Sequence, residues 1–214
     1  IVVVGILITF QGSEWIGRAS QRAEAREILS MIEDELRSNL DEIIKCKHAL
    51  EYELDGMDFF TRYMYNIYEA PRDSVDLYLG VLGTWREFYY NSDALEVLKS
   101  SQSSVKVLDK GLQRGIFGCY QNTASHLKSA NSYWEQKSEI IGEYYFVSDR
   151  KEIEVMHRHG DFYPFVSGYL KNVSTGNLIL NTSGNIGDFP EMFEKLIETH
   201  RDVIGSMSRY KKKK

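Results

Sequence analysis

Five histidines and two cysteines are the side chains whose types and spacing could do chemistry. One cluster, His157-Arg158-His159-Gly160-Asp161, has metal-ligand spacing. His-x-His can grip a metal from a single loop, and Asp161 adds an oxygen ligand. A metal-dependent hydrolase built on His157, His159 and Asp161 would need a second cluster, and the chain has none; Arg158 also places positive charge between the imidazoles. A polar loop or a lipid-facing patch is the preferred reading of these residues. His200 falls on the apolar face of the last helical stretch, where a hydrogen-bonded core or interface histidine is expected. His48 and His126 fall on outer helix faces. Cys46 sits on a core seam and Cys119 beside another, so buried free thiols are the default and a disulfide the alternative in an oxidising compartment. No Gly-rich phosphate loop, Gly-x-Ser-x-Gly, His-Glu-x-x-His or Cys-x-x-Cys occurs. Asn172-Val173-Ser174 and Asn181-Thr182-Ser183 match the glycosylation sequon, a triplet that arises readily by chance. No catalytic residue, cofactor site or metal site is assigned, and the chain reads as a non-enzyme.

The elements that would position such side chains follow from the apolar period. In 214 residues, 43% are hydrophobic and 27% charged, with fourteen tyrosines. That composition excludes intrinsic disorder and suits one domain with an appendage. Leu29, Ile32, Leu36, Asn39, Ile43, Cys46 and Leu50 alternate steps of three and four, which predicts one helix over residues 14–54. Asp55-Gly56 then predicts a turn. Short helical pieces are expected over 57–64, 75–82, 84–90 and 94–99, with Asp93 and Glu96 as a capping pair. A second long helix is expected over 109–147, with Phe117, Tyr120, Ala124, Leu127, Asn131, Trp134, Ser138, Ile141 and Tyr145 as its seam. Two seams of similar length predict an antiparallel pair as the spine of an all-α bundle, with Asn39 and Asn131 setting register if buried. Residues 148–189 carry five glycines and Pro164, which predicts loops and short turns, with one hairpin as an alternative; Asp188, Pro190 and Glu191 then open a last helix.

The opening run Ile1-Val2-Val3-Val4-Gly5-Ile6-Leu7-Ile8-Thr9-Phe10 holds no charge. A spanning helix needs about 20 apolar residues and ten rise only about 15 Å. The run is expected to be the C-terminal half of a transmembrane helix, with a buried strand or the end of a signal-peptide core as alternatives. Trp15 would lie at the membrane boundary, and Arg18 and Arg22 just outside it. The expected organisation is residues 1–13 as half a membrane helix, 14–210 as the bundle and 211–214 as a basic tail. Net charge is −5 with four lysines at the end, an acidic body that argues against nucleic acid as a partner. Lys211–Lys214 suits either anionic lipid or plain solvent.

A resemblance rests on Ile1–Phe10, Gln11 and Trp15, followed by the charged helix with Glu35-Leu36 and Asn39. Asp93-Ala94-Leu95-Glu96-Val97-Leu98-Lys99-Ser100-Ser101, then Val107 to Gln113 and Tyr120, extend it. These residues resemble a bacterial family of uncharacterised single-pass membrane-anchored proteins. Gly12-Ser13-Glu14 and residues 148–189 depart from its pattern. The resemblance implies an N-terminal anchor in the bacterial inner membrane, a helical domain on the periplasmic side and no catalytic residues. The expected role is a structural or accessory subunit, with the lipid bilayer and other membrane subunits, or further copies of the chain, as partners. A ligand-sensing ectodomain is the alternative.

Overall fold

The structure, a computed structural model, describes residues 2–101, 106, 108–147, 154, 158 and 160–212; over 2–18 and at 147 it describes the backbone alone. Every regular element among them is a helix: α1 (Val2–Arg62), α2 (Arg72–Gly83), α3 (Asp93–Ser100), α4 (Lys110–Val147), α5 (Tyr163–Lys171), α6 (Val173–Ile186) and α7 (Phe189–Lys212), with a 3-10 turn at Ile67–Glu69. The apolar opening residues are therefore helix, not strand, and they belong to the same helix as the seam that follows. Among the described residues no helix is long and apolar enough to cross a membrane.

The chain divides into two compact units. The first is residues 1–43, 89–125 and 195–214; the second is 44–88 and 126–194. In the first, Ile28, Leu29, Ile32 and Leu36 of α1 pack with Leu95 and Leu98 of α3, Leu112 and Ile116 of α4, and Ile204 and Met207 of α7. The segment leading into α3 runs backward along α1: Asn39 meets Asn91, Glu35 meets Ala94, and Glu24 meets Ser101. The start of α3 is thus capped by Glu35 Oε2, which accepts from Ala94 N at 3.1 Å, and not by the expected Asp93–Glu96 pair. Asp109, the expected start of the second long helix, caps α4, accepting from Gly111 N at 2.8 Å and Leu112 N at 3.0 Å.

The second unit is aromatic. Phe59, Phe60, Tyr133, Trp134, Tyr144, Phe165, Tyr169 and Phe193 are all buried. Tyr144 and Tyr169 meet edge to face at 4.9 Å, and Tyr145 stacks on Phe165 at 5.7 Å. Here the direction of the long helices is legible. Passing from Glu194 back to Thr182, the neighbouring residues on α1 advance from Lys47 to Glu53. Over the same path those on α4 advance from His126 near Phe193 to Tyr133. In this unit α1 and α4 run parallel, which corrects the antiparallel expectation. Matching seams say that two helices pack; the chain between them sets direction. That chain is 47 residues long and retraces α1 before α4 begins.

Three other expectations change. Gly56 makes no turn. Helix α1 continues through it to Arg62, because α2 crosses so closely that a Cβ at Gly56 would lie 2.5 Å from Val81 Cγ2. Residues 84–90 are not helical: Asn131 holds Phe88 from both sides, donating to its carbonyl at 2.8 Å and accepting from its amide at 3.0 Å. Residues 163–186, expected as loops, are two helices. Phe165, Val166, Tyr169 and Leu170, then Leu178, Ile179, Thr182 and Ile186, are buried at helical spacing, and tertiary packing overrides the weak propensity of the glycines among them. Asn172 caps the second, accepting from Ser174 N and Thr175 N. Gly176 allows α6 to pass the Leu170 carbonyl, which a Cβ would approach to 2.9 Å.

Candidate functional site

His157 and His159 lie outside the described residues. Asp161 is exposed and accepts from Tyr163 N at 3.2 Å. Among the described residues no group of three or more His, Cys, Asp or Glu side chains could hold a metal ion. His200 is fully buried in the first unit. Its Nδ1 donates to the Leu196 carbonyl at 2.8 Å and its Nε2 lies 3.1 Å from the Thr123 hydroxyl, so both ring nitrogens are engaged. Burial lowers its pKa against the pull of the Leu196 carbonyl. His48 is exposed beside Glu51, while His126 is half-buried and edge-on to Phe193. Cys46 and Cys119 are buried and not joined in a disulfide. Burial pushes the Cys119 thiol up to about 12, far from the range of a nucleophile.

The polar cluster with the most unusual geometry carries none of those residues. In the second unit Lys137 is fully buried and Glu53 is 2% exposed. Lys137 Nζ donates to both carboxylate oxygens of Glu53, at 2.6 and 2.8 Å, and Tyr133 Oη donates to Oε1 at 2.7 Å. The ammonium also lies 4.8 Å from the Trp134 ring centroid. Desolvation pushes Glu53 up and Lys137 down, each toward its neutral form, and their mutual attraction opposes both shifts. Trp134 Nε1 and Tyr169 Oη, close by in the same core, have no hydrogen-bond partner among the described residues. A cluster this enclosed ties α1 to α4 and offers no surface to a substrate.

Sequence spacing missed it because Lys137 was excluded from the α4 seam. The buried row is Ile116, Cys119, Thr123, Leu127, Ala130, Trp134, Lys137, Ile141 and Tyr144, in steps of three and four. It lies one residue to the side of the expected row except at Leu127, Trp134 and Ile141, where the two coincide; Phe117, Asn131 and Ser138 are only half-buried and Tyr145 is exposed. A lysine at a seam position with a glutamate at a seam-adjacent position of the partner helix was the available signal.

The accessible features are aromatic. Tyr65 is 98% exposed and Phe146 92% exposed, and Trp85 and Tyr68 stand more than half in solvent, all in the second unit. Phe146 lines a groove of about 600 Å³ with Gly142, Tyr144 and Asn172. A second groove, of about 320 Å³, sets Trp85 beside Glu87, Glu135 and Glu139. Scattered apolar side chains are ordinary on a surface, and Tyr89 of the first unit is likewise exposed. Comparison with known proteins finds no matching family, no matching curated protein and no matching solved structure.

Proposed function

We propose that this chain is a membrane-anchored structural or accessory subunit that works by protein contact and not by catalysis. Residues 1–10 form the lipid-embedded part of its anchor. The observation that carries this reading is the continuity of α1, in which the apolar opening and the bundle seam share one uninterrupted helix. Such a helix transmits position rigidly from a bilayer to a packed domain, with no linker between. The second unit supplies the contact surface through Tyr65, Tyr68, Trp85 and Phe146, residue types that dominate protein interfaces. The buried ionisable groups support a non-catalytic role, since Glu53, Lys137, Cys119 and His200 are closed to solvent and Glu53, Lys137 and His200 are paired. The anchor, with the bulk of the chain on the periplasmic side of a bacterial inner membrane, is tested by alkaline extraction of membranes from cells expressing the chain. The wild type stays in the pellet, and Ile6→Asp with Ile8→Asp is released. A double variant that stays in the pellet contradicts the anchor.

A further inference from the structure

The interior of the second unit has more hydrogen-bond donors than the protein itself satisfies. Among the described residues, two buried side-chain polar atoms of that unit lack a partner, Trp134 Nε1 and Tyr169 Oη. Trp134 is 1% exposed and Tyr169 fully buried. Both stand around one group, the Glu53–Lys137 pair. Lys137 Nζ lies 4.8 Å from the Trp134 ring centroid, and the hydroxyls of Tyr169 and Tyr133 both lie in the field of the Glu53 carboxylate.

The count of hydrogens and lone pairs gives the deficit a chemical type. An indole N–H only donates, a phenol carries one hydrogen and an ammonium three. Glu53 Oε1 accepts from Lys137 and from Tyr133, which fills it, while Oε2 accepts from Lys137 alone. The bonds to Glu53 use at most two of the three Lys137 hydrogens. Hydrogens on Trp134, Tyr169 and Lys137 therefore stand beside one open carboxylate position, and neither Trp134 nor Tyr169 reaches it. A donor desolvated without an acceptor is costly, and two at one charged pair point to a further acceptor between them. Water has two acceptor and two donor positions and bridges polar groups that stand too far apart to bond directly.

We infer that the core of the second unit binds internal water beside the Glu53–Lys137 pair, held by the Trp134 indole N–H and the Tyr169 hydroxyl. The water accepts from Trp134 and has the open position on Glu53 Oε2 as acceptor for its own hydrogen. Tyr169 of α5 is thereby joined to a network whose direct bonds tie α1 to α4. The inference is independent of the membrane anchor.

The test uses the full chain and two single variants, Trp134→Phe and Tyr169→Phe, each checked for native helix content by circular dichroism. Magnetic relaxation dispersion of the water oxygen counts waters that stay bound longer than the protein takes to tumble. The wild type is expected to hold at least one more such water than Trp134→Phe. Tyr169→Phe keeps the ring and removes only the oxygen; in urea titrations it should lower the folding equilibrium constant about fivefold, the effect of one lost hydrogen bond. A dry hydroxyl gives the opposite sign, because removing an unpaired desolvated oxygen leaves the constant unchanged or raises it. Equal water counts in wild type and Trp134→Phe overturn the inference, and so does a Tyr169→Phe chain at least as stable as the wild type. If Trp134→Phe misfolds, the sign of the Tyr169→Phe effect decides alone.

Discussion

The two units use one pair of long helices differently. The first unit packs aliphatic side chains and places its carboxylates at the margin, where Glu33 meets Lys211, and Glu35 caps α3 and accepts from Tyr120 Oη. The second holds 20 of the 27 aromatic residues and buries an ion pair among them. A heptad pattern therefore fixes which helix face is inside without fixing what the inside is made of. Aliphatic packing tolerates many sequences; a buried lysine and glutamate specify one arrangement, because either side chain alone is a desolvated charge.

The largest effect is expected where that contrast is sharpest. Lys137→Ala should lower the unfolding free energy by about 3–5 kcal/mol, since it strands Glu53 beside Tyr133. Lys137→Met combined with Glu53→Leu should recover most of the loss. Urea denaturation measures both, and a single variant costing under about 1 kcal/mol would erase the distinction between the units. The two asparagine clamps come next. Asn39 donates to the Asn91 carbonyl and accepts from its amide, both at 2.8 Å, while buried to 2%. Asn39→Ala should cost about 2 kcal/mol and Asn131→Ala, which is half-buried, about half that. The reverse order would mean that the second unit depends more heavily on its marginal bonds.

Acid separates the units further. Burial alone would raise the Glu33 pKa, yet hydrogen bonds from Lys211, Arg37 and Ser208 hold it down to about 2 from an ordinary value of 4.5. A carboxyl depressed on folding stabilises above its unfolded pKa and loses that contribution as pH falls from about 4.5 toward 2. Glu33→Gln should flatten stability over that window, read by thermal melts at successive pH values. An unchanged slope would remove Glu33 as the acid-sensitive group. The smallest effect is chemical. With its thiol pushed up to about 12, Cys119 should react with a thiol reagent at pH 8 at least about a hundredfold more slowly in the folded chain than in urea. Equal rates would mean that the first core opens readily.

The α1 seam was fully legible: all seven residues from Leu29 to Leu50 are buried. So were the start of α4 near Asp109 and the start of α7 near Phe189, where Pro190 falls in the first turn. Helix direction was not legible, since it depends on a long connection with little periodicity of its own. Gly56 reads as a turn in sequence and serves as a contact surface in the fold, a distinction only the approach of Val81 reveals. The buried Glu53–Lys137 pair was missed for a related reason, although Lys137 stands on the buried row of α4. Charge marks a surface residue on average, and pairing across 84 positions has no local signature.

The claim on which the functional account rests is that residues 1–10 lie in lipid while the rest of α1 stands in water. Spin labels at Thr9→Cys and at the exposed Ser30→Cys, in a background lacking Cys46 and Cys119, report this directly in reconstituted bilayers. The account predicts that label 9 collides with dissolved oxygen and is shielded from a water-soluble nickel chelate, with the opposite pattern at label 30. Free access of the nickel chelate to both labels would contradict it.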